Sequence, residues 1–311
     1  MQMESDNIRK LNYVIPKSFG GKYLKDFLIS QAFSQDLIKH IKKTQGLDMF
    51  HILSEGENIT IEIIEDEKSD IEPNDNLKYD IIYEDEDMIV INKPADMPIH
   101  PSQGNHNNTL GNALAAHYSD RNFVYRPITR LDRDTSGVCL IAKNKFSASS
   151  LSLFILKNYI KRTYIGLCKG NIYNAINVDP KLKDLSGFES MTDLQILINS
   201  PIKRKNDSTI ERIVAVDGEQ AVTKVYALKY YEKYNISLCK FILLTGRTHQ
   251  IRVHMKHIGF PIIGDFLYNP DYSLISRQAL HSSELILTHP LTKKILRFDA
   301  RIPSDMRLLI D

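Results

Sequence analysis

Arg130-Leu131-Asp132-Arg133-Asp134-Thr135-Ser136-Gly137 runs directly into Val138-Cys139-Leu140-Ile141-Ala142, and this junction decides how the chain is read. Five apolar residues that follow a Ser-Gly turn, without helical spacing, describe a short strand buried on both faces. The turn ahead of them holds two carboxylates and two guanidinium groups. A carboxylate placed there, beside Arg130 and Arg133, could be kept ionised as a nucleophile. The same charges could equally bridge one another across an Asx or Ser/Thr turn.

Outward from that junction, Met88-Ile89-Val90-Ile91 is a second short buried strand, ended by Asn92-Lys93-Pro94, and a polar loop follows over 101–108. Residues 146–159 have helical length and pattern. Residues 163–168 read as a strand ending at Gly170, and 222–230 with 236–244 alternate as an antiparallel pair. A helix is predicted over 250–257, with Gly259 beyond its end and Pro261 behind. Strands and helices intersperse without a regular alternation, so the fold class is α+β with a mixed sheet. No internal repeat, low-complexity tract or Gly-rich phosphate fingerprint is present.

The N-terminal part reads as a small module. Tyr23, Leu24, Phe27, Leu28 and Ile29 have helical spacing. Ser34 suits the N-cap of a second helix with Leu37, Ile38 and Ile41 on one face and Lys39, Lys42 and Lys43 on the other. Residues 58–63 alternate as a strand does. The expected organisation is a module over 1–64, an acidic solvated linker over 65–80 containing Pro73, and a main domain over 81–311.

Charge is unevenly spread. The 311 residues hold 40 Lys and Arg against 38 Asp and Glu, a net charge of only +2. Residues 55–87 carry fourteen acidic groups and two basic ones, so the rest of the chain carries +14. A basic body of that kind suits a polyanionic partner. Cys139, Cys168 and Cys239 lie far apart, which argues against a disulfide framework and a zinc knuckle. No apolar run approaches a membrane span, and Met1 to Asp6 lacks a targeting signal. The expectation is a soluble cytoplasmic protein, monomeric by default.

Two more clusters could carry chemistry. Thr245-Gly246-Arg247-Thr248-His249-Gln250-Ile251-Arg252-Val253-His254-Met255-Lys256-His257 concentrates two arginines, a lysine and three histidines. It suits phosphate contacts or the neutralisation of a buried carboxylate, or simply a helix with a basic solvent face. A metal is disfavoured: His254 and His257 would share a helix face, but no Glu or Cys sits at ligand spacing, and Arg and Lys repel a cation. Lys161-Arg162-Thr163-Tyr164 opens a strand; its tyrosine could be ordinary core, or could stack on a base or move a proton.

Together these segments resemble the RluA family of RNA pseudouridine synthases. Arg130-Leu131-Asp132 with Thr135-Ser136-Gly137, the apolar strand and Ala142-Lys143 resemble one signature; the stretch from Thr245 to His254, with Gly259 and Asp265 after it, resembles another. Tyr83-Glu84-Asp85, Asn92-Lys93-Pro94, Lys161 with Gly170, Arg277-Gln278-Ala279-Leu280-His281 and Thr288-His289-Pro290 follow in the family's order. The resemblance implies the pseudouridine synthase fold, with a mixed, largely antiparallel central sheet. It implies that Asp132 is the catalytic aspartate, Tyr164 the active-site tyrosine, Arg252 the arginine paired with the aspartate, and Arg130 the residue that enters the RNA stack. Thr129 departs from the family's usual His, so an active enzyme with altered RNA contacts or rate is expected. The module over 1–64 resembles the S-four-like RNA-binding domain, in degenerate form: the usual Val-Asn-Gly hairpin is missing around 46–53.

The implied reaction breaks a glycosidic C–N bond, turns the uracil and joins its carbon 5 to the sugar. It involves no redox change, so no nicotinamide or flavin cofactor is expected, and the ligand spacing of the histidines leaves no metal expected either. Asp132 would act as a carboxylate, adding to the ring or assisting departure at the sugar, and Arg252 would offset the cost of burying that charge. Tyr164 would stack and take the proton from carbon 5. Extruding the base costs a few kcal/mol, and Arg130 can refill the stack; Arg133, Arg247 and Lys256 are candidates for the phosphate backbone. The expected substrate is structured RNA, large-subunit ribosomal RNA ahead of transfer RNA. A non-catalytic RNA-binding or ribosome-assembly protein on the same fold is the alternative, and the intact Asp132, Tyr164 and Arg252 set speaks against it.

Overall fold

The computed structural model describes residues 7–67, 69–178, 186–190 and 193–311; the segment Met1 to Asp6, where no targeting signal is expected, lies outside them. In the N-terminal module, β1 (Ile8–Val14), α1 (Leu24–Ser30), α2 (Gln35–Gln45) and β2 (Asn58–Ile64) surround a small core, and β1 pairs antiparallel with β2. Ser34 caps α2, its side chain accepting the Leu37 N–H at 3.2 Å. Gly46 closes the helix in the left-handed region at φ 65°, a conformation that glycine adopts without a Cβ penalty. Between α2 and β2 there is no hairpin; an isolated bridge joins Tyr23 to Ile52.

The remaining elements are β3 (Asp80–Glu84), β4 (Met88–Lys93), α3 (Leu110–His117), β5 (Arg126–Pro127), β6 (Ser136–Ala142), α4 (Lys145–Leu156), β7 (Lys161–Lys169), α5 (Ile172–Val178), β8 (Ser186–Ser190), β9 (Asp193–Asn199), β10 (Ile202–Arg204), β11 (Arg212–Val214), β12 (Val222–Tyr231), β13 (Ile236–Leu243), α6 (Gln250–His257), β14 (Leu280–Thr288), β15 (Ile295–Asp299) and α7 (Ser304–Arg307). Among the described residues the large sheet runs β3-β4-β6-β14-β7-β13-β12-β9-β8, with β15 on β14 and β5 on β6. Its pairings are antiparallel except β6 with β14, so the sheet is mixed and largely antiparallel, as expected. β10 and β11 form a separate hairpin.

β6 is buried along its whole length. Cys139 and Ile141 join Ile89 and Ile91 in the core on one face of the sheet. Val138, Leu140 and Ala142 join Met88, Val90 and two α4 residues, Leu151 and Phe154, on the other. The unbroken apolar run is therefore a strand covered on both sides. Gly137 makes the parallel pairing possible. At φ 108°, a Cβ there would lie 2.1 Å from the Ser282 carbonyl oxygen, so only a bare backbone lets β6 and β14 approach.

The reading of 65–80 as a solvated linker is corrected at its start. Glu65 is buried, accepting from Arg126 Nη2 at 2.8 Å and from the Lys145 backbone N–H at 2.6 Å. Asp66 pairs with Lys145 and Glu67 with Arg126. A segment so acidic draws counter-charges, and the basic body supplies them along its surface. The module also sits on that body. Arg9 grips Asp87 through two hydrogen bonds, at 3.2 and 3.1 Å, and Phe33 stacks tilted on Phe146 at 4.8 Å.

Candidate active site

The turn between β5 and β6, the start of β7, and the loop from β13 into α6 converge on one cavity of about 620 Å³, a size that accommodates a small ligand. Asp132 comes from the first segment, Tyr164 and Arg162 from the second, and Arg247, His249 and Arg252 from the third. Helix α6 is amphipathic in a useful way: Ile251 and Met255 enter the core while Arg252, wholly buried, is turned toward the cavity.

Arg252 is the electrostatic centre. Its Nη1 donates to Asp132 Oδ2 at 2.7 Å, while Nε and Nη2 donate to Asp265 at 2.6 and 2.8 Å. The planar guanidinium thus forks onto one carboxylate and touches the other. It also lies over the rings of Tyr268 and Phe266. Burial works against its charge, but the hydrogen bonds and charges of Asp265 and Asp132 outweigh that and raise its pKa. Asp265, wholly buried, occupies that end of the fork and leaves Asp132, about a quarter exposed, facing the cavity.

The Asp132 turn is held from behind. Lys93 is fully buried, and its Nζ donates to the carbonyls of Pro94, Met97 and Arg133 at 2.7, 2.9 and 2.8 Å. Burial lowers its pKa to about 8. Arg277 donates to the Asp134 carbonyl, Gln278 to Thr135, and Ser136 bonds His281. Thr129 is buried too: its Oγ1 accepts the Leu140 N–H at 2.8 Å, so it ties the segment ahead of the Asp132 turn to the body of β6 and does not line the cavity.

Tyr164 lies on the same face of β7 as Arg162, with Ser282 opposite it on the neighbouring strand β14. Burial pushes its pKa up, the Arg162 charge opposing. Arg162 has no ion-pair partner among the described residues, and its Nε is buried without a hydrogen bond. Its guanidinium lies against Gly246, where a Cβ would come within 2.8 Å of Nη1. Arg130 also lines the cavity, exposed and without an ion-pair partner among the described residues.

Asp132 and Arg252 are brought together at 2.7 Å. The expectation that Arg130 and Arg133 flank that carboxylate is corrected: Arg133 turns to Asp134 and Asp96, away from the cavity. Arg247 lines the mouth but is paired with Glu219 at 2.6 Å, and exposed Lys256 stands outside the cavity lining. His254 is structural, bonded to Thr223 at 2.8 Å and to the Ser200 carbonyl at 2.9 Å, with a pKa lowered to about 4 chiefly by burial. Sequence reasoning passed over Asp265, Lys93 and Arg162. The signal for the first two was a charged residue inside an otherwise apolar or turn-forming block; Arg162 could have been found from its two-residue spacing to Tyr164 on a strand.

One further polar cluster, Asp85, Asp87 and His289, could in principle hold a cation. Its carboxylate oxygens already accept from Tyr83, His289, Arg9 and Asn144. It works as a joint between the N-terminal module and the sheet.

Comparison with known proteins agrees with this geometry. Residues 87–257 match the family described as RNA pseudouridylate synthase. The Bacillus subtilis (strain 168) protein named "Uncharacterized RNA pseudouridine synthase YjbO" is 36% identical over 84% of this chain and 85% of its own. "Ribosomal large subunit pseudouridine synthase D" of Buchnera aphidicola subsp. Acyrthosiphon pisum is 35% identical, covering 97% of this chain and 94% of that one. Among solved structures, "Human RNA Pseudouridylate Synthase Domain Containing 1" shares the fold with a TM-score of 0.56 at 23% identity, covering 74% of this chain and 86% of that one. Among the described residues no helix is long and apolar enough to cross a membrane. With a matched segment that contains Asp132, Tyr164 and Arg252 and relatives aligned over most of its length, this chain belongs to the RNA pseudouridine synthase family.

Proposed function

We propose that this RNA pseudouridine synthase acts on large-subunit ribosomal RNA, using Asp132 as its reacting carboxylate. The observation that carries the role of Asp132 is its 2.7 Å contact with Arg252 at the edge of the cavity. A buried, permanently charged guanidinium supplies this carboxylate with a fixed counter-charge where it faces the cavity. The substrate class rests on relatives named for the large ribosomal subunit, aligned along 96% and 97% of this chain, the N-terminal module included. Transfer RNA is the second candidate substrate.

A base must leave its stack to reach the cavity. Exposed Arg130, at the rim and without an ion-pair partner among the described residues, is placed to fill the gap. Tyr164 offers a ring face to the extruded uracil and a hydroxyl for the proton leaving carbon 5. Its raised pKa keeps it a neutral phenol at rest, so deprotonation is the demanding part of that second role. For the phosphate backbone, Arg162 is the best placed of the arginines because among the described residues it has no ion-pair partner and its Nε has no hydrogen bond. Arg133, Arg247 and Lys256 are outer contacts on this reading. The enzyme works as a cytoplasmic monomer with no cofactor and no metal, its chemistry supplied by carboxylate, guanidinium and phenol. The module over 1–64 would extend the RNA surface.

Carbodiimide-based pseudouridine mapping of total RNA tests this. Deleting the gene should remove one or more pseudouridines from large-subunit ribosomal RNA, the intact chain should restore them, and Asp132→Asn should not. Restoration by the Asn variant would overturn the role of Asp132; a lost site in transfer RNA instead would overturn the substrate.

A further inference from the structure

His249 faces the second oxygen of Asp132, and its own surroundings fix which of its nitrogens carries the proton. It sits just ahead of α6 with φ 57° and ψ 20°, a left-handed conformation uncommon for a residue with a Cβ. Its side chain caps no helix N–H. Instead, Nδ1 lies 3.1 Å from the Tyr268 hydroxyl, and Nε2 lies 3.9 Å from Asp132 Oδ1. The backbone thus uses a costly conformation to aim the ring at the carboxylate.

The tautomer follows from donors and acceptors. The Tyr268 oxygen accepts the Arg212 backbone N–H at 2.9 Å, and among the described residues its own hydrogen has no acceptor except His249 Nδ1. Nδ1 is therefore the acceptor, and the proton of a neutral ring resides on Nε2, the nitrogen that faces Asp132. The other carboxylate oxygen, Oδ2, is tied to Arg252.

We propose that His249 is a positioning residue for Asp132: a neutral imidazole, locked as the Nε2–H tautomer by Tyr268, that directs the carboxylate so that Oδ1 is the oxygen presented to the nucleotide. This rests on the reading of Asp132 as the reacting group. At 3.9 Å the N–H does not bond Oδ1 in the resting enzyme, so the oxygen's lone pairs stay free. Closing by about 1 Å makes a normal hydrogen bond, which a turn of the Asp132 side chain supplies as it moves between resting and reacting positions. The groups facing the ring support a neutral state. Burial is the largest influence and lowers its pKa; the charges of Arg252 and Arg212 act in the same direction, while Asp132 and Asp265 oppose them. The β10–β11 hairpin thereby gains a part in the site, because Arg212 in β11 anchors the hydroxyl that sets the tautomer.

The test has one spectroscopic arm and one kinetic arm. In the full chain labelled with nitrogen-15 histidine, long-range proton–nitrogen spectra at pH 7, assigned with His249→Asn, should show His249 neutral and protonated on Nε2; Tyr268→Phe should release it into a mixture of tautomers. Asparagine tolerates the left-handed backbone, so His249→Asn should fold. On ribosomal RNA carrying tritium at carbon 5 of uridine, it should lose turnover by about 100-fold, as misplacing a reacting group does. Its KM should stay near that of the parent chain, with Tyr268→Phe falling between. A ring protonated on Nδ1, or cationic at pH 7, would sink the proposal, as would parental turnover in His249→Asn. Should His249→Asn not fold, the tautomer and the Tyr268→Phe rate decide. An active Asp132→Asn would instead defeat the reading of Asp132, whatever tautomer is found.

Discussion

Arg252 reaches across 120 residues of sequence to place its Nη1 2.7 Å from Asp132 Oδ2. The rest of its fork is spent on Asp265, so a single guanidinium serves one wholly buried carboxylate and one that faces the cavity. Lysine could carry the charge but lacks the planar fork that grips Asp265 with two bonds while a third reaches Asp132. Arg252→Lys is expected to lose about 3 kcal/mol of stability, read by urea unfolding, because Asp265 stays buried without its fork. Turnover should fall by at least about 100-fold. An unchanged urea midpoint would show that the buried pair is dispensable.

Arg162 should behave differently, since among the described residues no carboxylate pairs with it. Arg162→Gln should leave turnover at saturating RNA nearly intact and weaken binding. The slope of log affinity against log salt should become shallower by about 1, the mark of one lost phosphate contact. Titrations at several salt concentrations settle it; an unaltered slope would place Arg162 outside the phosphate path.

Tyr164→Phe separates the two roles of that side chain. Phenylalanine keeps the ring face, so KM should hold. Removing the hydroxyl should cut turnover by about 100-fold or more if it handles the proton from carbon 5. Parental turnover would confine Tyr164 to stacking.

Gly137→Ala tests the fold itself. The added methyl would meet the Ser282 backbone, not a movable side chain, and it would sit at φ 108°. A loss of roughly 2–4 kcal/mol is expected, with a thermal midpoint well below the parent's. A small shift would mean that β6 and β14 can part without consequence.

Stability should also depend on pH through His254. Its folded pKa, about 4, lies below the ordinary 6.5. The unfolded chain therefore takes up the proton first as pH falls, and stability drops between 6.5 and about 4 while staying flat above that window. The loss from this one group is about 3 kcal/mol. Urea unfolding from pH 7.5 to 4.5 should show the decline, and His254→Gln should flatten it.

Local pattern made much of this molecule legible. The apolar run after Gly137 is a fully buried strand, and α6 spans the residues its pattern and Gly259 delimited. What was not legible depends on contacts between distant segments. Nothing near Lys93 in sequence says that it will be buried beneath three carbonyls, one of them forty residues away. Nothing near Glu65 announces Arg126. Arg130 and Arg133 are the sequence neighbours of Asp132, yet its guanidinium partner comes from α6. Sequence proximity in a turn does not set which way side chains point.

The place of β14 has a temporal consequence. This strand emerges from the ribosome well after β6 and β7, yet it lies between them, separating the strand that follows Asp132 from the strand that carries Tyr164. A growing chain can make its small N-terminal bundle early, but the two halves of the catalytic cleft have no common wall until residue 288 has been added. Such distant pairings are closed late and slowly. Products truncated before β14 should thus be catalytically silent, and enzymatic competence arrives in one step, when that strand closes the sheet.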